Sequence, residues 1–252
     1  MEFTFYGDLL GISGYYKLSA ELAKNKLNDF YNTVFCSLSE YCQNHNDVHV
    51  HMFSDSILIW GNDAILALEE LHRVYVKLIH KGLLLRGAMV SKKIQFQIRT
   101  ELDNFQKQLP DDDTLARAVG LESSKKGARL LIESKLAENL LTECTEWLTV
   151  EGYVNNQQNP PYCNIPYTDI RRRIIPTPEL DTHELLYFWI CSDELEHHDL
   201  DYQVKMKNLN EIKSMLTESI SLHYKETIRL LKRCNNRQNF TQKTKYITNG
   251  CS

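Results

Sequence analysis

VHVHMFSDSILIW, residues Val48 to Trp60, decides how the chain is read. It divides into an alternating run, a serine-flanked acid and a second apolar run. The alternation puts His49, His51 and Phe53 on one face of a strand and Val48, Val50 and Met52 on the other. Ile57-Leu58-Ile59-Trp60 is continuously apolar, which predicts a strand buried on both faces. Ser54-Asp55-Ser56 between them is the turn of a hairpin. Asp55 has two readings there. One is Asx-type turn chemistry, in which the carboxylate bonds its own backbone. The other is a ligand held at the tip of a rigid element.

A second acid stands in similar surroundings. Phe3 to Tyr6 is strand material, and Gly7-Asp8 leads into Leu9-Leu10-Gly11-Ile12-Ser13-Gly14. Asp8 is therefore expected where a first strand gives way to a glycine-bearing loop and a helix. Glycines in such a loop let backbone N–H groups approach an anion, and the start of a helix favours negative charge. Taken singly, Asp8 is explained by a turn leading into that helix. Taken with Asp55, two carboxylates that each end a buried strand can hold a hard divalent cation between them.

Composition narrows the classes. A chain of 252 residues accommodates one large domain, or a domain with an appendage. A net charge of -4 gives no overall basic field, so direct nucleic-acid binding is not expected. The Arg171-Arg172-Arg173 cluster and the basic tail after Lys232 read as solvated surface. No apolar run approaches the roughly 20 residues of a membrane helix. The first residues, MEFTFYGDLL, lack the basic region of a secretory signal. Seven cysteines without a CxxC pair suit reduced thiols, so a cytoplasmic location is expected.

The order of elements supplies the fold. A long helix is expected over Tyr15 to Cys42, then the hairpin, then a helix over Ala64 to His80. Asp63 caps that second helix and Gly82 ends it. Leu83 to Val90 reads as a buried strand in which Arg86-Gly87 marks a bulge or a close backbone approach. Strand, helix, strand, strand, helix, strand is the ferredoxin-like pattern, or palm, of the α+β class. Its central strands are expected to be the first strand and the first arm of the hairpin. That arrangement brings Asp8 and Asp55 together at one end of the sheet. Further on, Ile94 to Thr100 reads as a strand, Glu101 to Asp113 as an acidic loop, and Thr114 to Ser124 as a helix. In that helix Leu115, Ala118, Val119 and Leu121 are expected to face inward. A last strand at Arg129 to Ile132 and a helix at Leu136 to Leu148 complete a unit of residues 1–148. Residues 149–252 read as an irregular connection and a helical extension packing on the core. Short strands are expected there at Tyr153 and Ile174-Ile175, with an apolar segment over Thr182 to Cys191 and a helical tail over Val204 to Arg233.

The succession GDLLGIS, FSDSILIW, LLLRGAMVS and TLARAVGLESSKKGARLLI resembles the catalytic domain of class III adenylate and guanylate cyclases. The resemblance covers about residues 3 to 134. It implies a palm fold with extra strands, a two-metal site and a nucleoside triphosphate substrate. On that resemblance Asp8 and Asp55 are the metal-binding and catalytic acids, helped by the Leu9 carbonyl. The N–H groups of Gly11, Ile12 and Ser13 hold phosphates, and two Mg²⁺ or Mn²⁺ ions are the cofactors. His51 and Phe53 either line the base pocket or pack under the neighbouring helix. Arg86 either reaches phosphate or pairs with an acid.

The product implied is a 3′,5′-cyclic mononucleotide with pyrophosphate, made by a homodimer with two equivalent sites. A cyclic-nucleotide receptor downstream is the further partner. The chain departs from ordinary purine cyclases at Ala116 and Gly120, where the family carries an asparagine and an arginine. It is more similar to divergent short bacterial cyclases, including the pyrimidine cyclases of Pycsar-type antiphage defence. The alternative reading is a catalytically inactive palm kept for nucleotide sensing or dimerisation.

Overall fold

The computed structural model describes residues 1–102, 105–142, 170, 174–177, 181–185, 195–215 and 220–232. In chain order, β1 (Phe3–Leu9) is followed by α1 (Ile12–Leu18), α2 (Ala20–Asn44), β2 (His49–Phe53), β3 (Ser56–Gly61), α3 (Ala64–His80) and β4 (Leu85–Ser91). In space the strands run β2-β3-β1-β4, every neighbouring pair antiparallel. This is the ferredoxin-like order of a palm, and the architecture is α+β.

The central partner of β1 is the second arm of the hairpin, not the first as the sequence predicts. The turn between β2 and β3 has only two residues, Ser54 and Asp55, and it leaves β2 on the sheet edge. One face of β3 is only partly covered. Ile57 and Ile59 are buried, while Ser56 and Leu58 are half-buried. The expected burial on both faces gives way because helices cover one face of this edge hairpin and not the other.

The sheet continues past the palm. β5 (Phe96–Leu102) and β6 (Phe105–Pro110) form a separate two-stranded hairpin where the sequence suggested a strand followed by a loop. Then come α4 (Thr114–Ser123), β7 (Leu130–Glu133), α5 (Ser134–Thr142), β8 (Ile174–Pro176) and β9 (Thr182–Leu185). β7 pairs parallel with β4, and β9 and β8 extend the same sheet to seven strands. α6 (Leu195–Met215) and α7 (residues 220–232) follow. Leu209, Tyr224 and Ile228 of these last helices belong to the same buried core as Phe3, Phe5 and Leu71.

Local chemistry explains most boundaries. Asp63 caps α3 by accepting from the Ile65 and Leu66 amides, each at 3.1 Å, and Gly82 closes it at φ 69°. The single helix expected over Tyr15 to Cys42 is two. Ser19 is extended, at φ -166° and ψ 132°, and its hydroxyl accepts from the Leu22 amide, so it starts a new helix. Leu18 and Phe35 are exposed, while Phe30, Val34 and Leu38 carry the buried face of α2. In α4 the buried residues are Thr114, Ala118 and Glu122, and Val119 faces out. Tyr153, Arg171 to Arg173, and residues 143–148, 186–191 and 233–252 lie outside the described residues.

Gly87 is a close-approach glycine. A Cβ there would stand 2.5 Å from the Phe5 ring and 2.7 Å from the Tyr75 hydroxyl, both fully buried. Gly87→Ala is therefore expected to cost about 1–3 kcal/mol by overpacking. At Gly120 in α4 a Cβ meets nothing within 4 Å. Gly120→Ala is expected to gain roughly 0.5–1 kcal/mol from helix propensity. Denaturant unfolding of the two variants beside the parent checks both signs.

Candidate active site

Asp8 is the second-last residue of β1. Asp8 is still paired on both sides, with Ser56 of β3 and Arg86 of β4 as its cross-strand partners. Leu9 ends the strand and Gly11 leads into α1, so Asp8 stands where the sequence places the change from strand to loop, with both ladders still holding it. Cross-strand partners share a face of a sheet. One face of the palm therefore bears Asp8, Ser56, Arg86 and Tyr6, with Phe53, His51 and Leu58 continuing outward. The other face bears Phe5, Leu9, Ile57, Ile59 and Met89 under the helical core.

Asp55 arrives at the same rim through the hairpin turn. The Leu9 amide donates to the Asp55 carbonyl at 2.8 Å, tying the turn to the end of β1. The Tyr31 hydroxyl of α2 donates to the Ser54 carbonyl at 2.7 Å. Ser54 sits at φ 54°, the left-handed region that non-glycine residues rarely adopt. Two outside contacts thus fix a strained turn, and Asx-type bonding of Asp55 to its own backbone is not what holds it.

The electrostatics follow from this convergence. The Asp8 carboxyl is pushed up to about 6, first by burial, then by the charges of Asp55 and Glu122, with Arg86 and a Ser56 hydrogen bond opposing. The Ser56 hydroxyl lies 3.4 Å from the Asp8 carboxylate and 3.1 Å from the Tyr6 hydroxyl. Burial and the same three acids also raise Tyr6. Two acids crowded at a half-buried rim form a donor set of hard oxygens whose repulsion a divalent cation relieves. The two carboxylates are of the donor type that Mg²⁺ or Mn²⁺ prefers, and among the described residues no group of three or more potential metal ligands occurs.

The remaining predicted residues divide. Gly11, at φ 90°, precedes α1 and its carbonyl accepts from the Gly14 and Tyr15 amides. The amides of Ile12 and Ser13 in the first turn then have no intrahelical acceptor. Arg86 pairs with an acid: its Nε donates to the carboxylate of buried Glu122 on α4. His51 and Phe53 do not pack under a helix. They stand exposed on the acid-bearing face, His51 with its ring edge-on to Trp60 at 4.7 Å. His49, the cross-strand partner of Trp60, stacks on the same indole at 5.1 Å.

Glu122, Tyr6, Ser56 and Tyr31 are the members that sequence reasoning missed. Tyr6 was legible in principle, since period two puts it on the face of Asp8. Glu122 was not, because its α4 position is recognised only once β4 lies beside it. Arg117, next to Ala116, is held by Glu133, Asp113 and the Ser91 carbonyl.

No family model and no curated protein matches the chain. Solved structures of adenylyl and guanylyl cyclases are similar to it. The adenylyl cyclase CyaB from P. aeruginosa is 14% identical, with a TM-score of 0.43 over 56% of this chain and 80% of that one. A bacterial light-regulated adenylyl cyclase is 12% identical, with a TM-score of 0.44 over 57% and 78%. The guanylate cyclase domain of RhGC from Catenaria anguillulae, solved in complex with GTP, is 12% identical, with a TM-score of 0.37 over 52% and 77%. Among the described residues no helix is long and apolar enough to cross a membrane.

The raised Asp8 carboxyl has a signed consequence for stability. The folded chain holds this proton more tightly than the unfolded chain, so stability falls as pH rises from about 4 to about 6. Asp8→Asn removes that penalty. At pH 7.5 and without divalent metal it should be more stable than the parent by on the order of 1–2 kcal/mol, after discounting for partial exposure. The advantage should vanish below pH 4. Thermal unfolding of both proteins at the two pH values checks this.

Proposed function

We propose that the chain is a nucleotide cyclase, converting a nucleoside triphosphate to a 3′,5′-cyclic mononucleotide and pyrophosphate. The observation that supports it most is that the β1–β3 ladder and the Leu9–Asp55 hydrogen bond bring Asp8 and Asp55 to one rim of the palm. Asp8 and Asp55, with the Leu9 carbonyl, would hold two Mg²⁺ or Mn²⁺ ions, whose charge lowers the pKa of a ribose 3′-hydroxyl and neutralises phosphate oxygens. Above pH 6 Asp8 is ionised and able to serve as that ligand. The Ile12 and Ser13 amides at the start of α1, with Gly11 beside them, suit the β- and γ-phosphates. Arg86, anchored by Glu122, presents positive charge opposite Asp8. His51 and Phe53 offer an exposed ring edge and a ring face for a base.

The proposal includes a homodimer with two equivalent sites and a cytoplasmic role in second-messenger synthesis, in the manner of bacterial antiphage cyclases. Residues 1–148 would form the catalytic unit and 149–252 its extension. A second reading, an inactive palm that senses nucleotide, is favoured by one feature. Ala116 and Gly120 put no polar side chain at the two exposed α4 positions where the resemblance implies an asparagine and an arginine.

Incubation with each of four labelled nucleoside triphosphates and Mn²⁺ separates the two. One cyclic mononucleotide is expected, and its yield should drop on the order of 10²-fold or more in Asp55→Asn, the scale of losing metal stabilisation of a transition state. Nucleotide binding with no product from any of the four would favour the sensor.

A further inference from the structure

The segment Gly127–Arg129 stands between the C-terminal helix and the candidate site, and all three of its residues are tied down. The Gly127 amide donates to His223 Nδ1 at 3.3 Å, and the Ala128 amide to the Thr227 hydroxyl at 2.9 Å. Both acceptors are on α7, about a hundred residues further along the chain. Gly127 is at φ 89°, and a Cβ there would come within 3.0 Å of Glu226 Cγ, so the helix sits directly on the segment.

Arg129 completes the connection. Its buried guanidinium donates through Nε to the Lys126 carbonyl at 3.0 Å, through one terminal nitrogen to Glu184 of β9 at 2.5 Å, and through the other to Glu226 of α7 at 2.6 Å. Such a cluster is poor evidence for stability, because an apolar trio of similar volume is often as stable. It does fix one geometry, since three directional groups from three segments must meet. The Arg129 carbonyl then accepts from the Gly87 amide at 2.8 Å and from the Tyr75 hydroxyl at 3.1 Å. Gly87 follows Arg86, and its packing against Phe5 and Tyr75 leaves it no slack. The 127–129 segment therefore joins α7 to the residue next to Arg86, the strand position that faces Asp8.

We propose that Arg129, Glu226 and Thr227 are positioning residues, a strut through which α7 sets Arg86 against the acid pair. The inference rests on the cyclase reading only in naming what is positioned. It makes α7 a control element: a partner that lifts this helix slackens the site without touching it.

Hydrogen exchange on the full chain tests the strut directly. Glu226→Gln and Thr227→Val are compared with the parent and with Lys225→Gln, a change at an exposed position of the same helix. Amides of Arg86 to Val90 should exchange at least tenfold faster in the first two variants, with the β2–β3 hairpin unchanged and Lys225→Gln indistinguishable from the parent. Faster exchange confined to 126–129 and α7, or spread evenly over the whole sheet, overturns the proposal. If the parent makes a cyclic nucleotide, the same two variants should lose about tenfold in kcat with KM changed less than threefold. An equal loss in the Lys225→Gln control, or a KM effect alone, overturns it as well. A parent that makes no product defeats the cyclase reading and leaves the exchange result to decide the strut.

Discussion

The double pairing of β1 is the constraint from which the rest follows. Hydrogen bonding to β3 on one side and β4 on the other holds the strand straight through Gly7 and Asp8. The same ladders choose the neighbours of Asp8: Ser56 beside the hairpin turn and Arg86 beside Glu122. Without the β3 ladder Asp55 has no reason to be near Asp8. Without the β4 ladder Arg86 would not stand against the two acids. Small residues make the pairing possible, since any side chain at Gly7 or Gly87 would collide with Phe5.

The arrangement is costly where chemistry would need it to be. A carboxyl lifted to about 6, a serine at positive φ and a buried glutamate facing an arginine all oppose or fail to help folding. They persist because surrounding structure over-determines them: Tyr31 grips the turn, α4 carries Glu122, and the helical core beneath is dense. Local cost is not confined to this rim, since Lys92 stands at φ 82° and Arg129 buries its charge between Glu184 and Glu226.

Much of this was legible in the sequence. The hairpin, α3 with its Asp63 cap and Gly82 stop, and the palm order came from periodicity and turn residues, because those signals are local. The convergence of Asp8 and Asp55 was also readable, since the βαββαβ order leaves few ways to arrange four strands. What failed was non-local or weakly patterned. The choice of β3 over β2 as the partner of β1 depends on which arm the two-residue turn leaves outside. The break at Ser19 hid within a continuous helical pattern. β6 is polar and pairs only with β5, so nothing apolar marked it. The pairing of Glu122 with Arg86 joins residues 36 positions apart, which no local pattern marks. Arg129 and its links to α7 join residues nearly a hundred positions apart, beyond the reach of any pattern along the chain.

The account turns on whether Asp8 and Asp55 share cations. Electron paramagnetic resonance of Mn²⁺ bound to the full chain, with a non-hydrolysable nucleoside triphosphate analogue present, measures this without requiring turnover. Two Mn²⁺ ions per chain with a spin-coupled signal are expected for the parent, and the coupling should disappear in both Asp8→Asn and Asp55→Asn. Uncoupled Mn²⁺ in the parent, or the same spectrum in parent and variants, would contradict a common site at this rim.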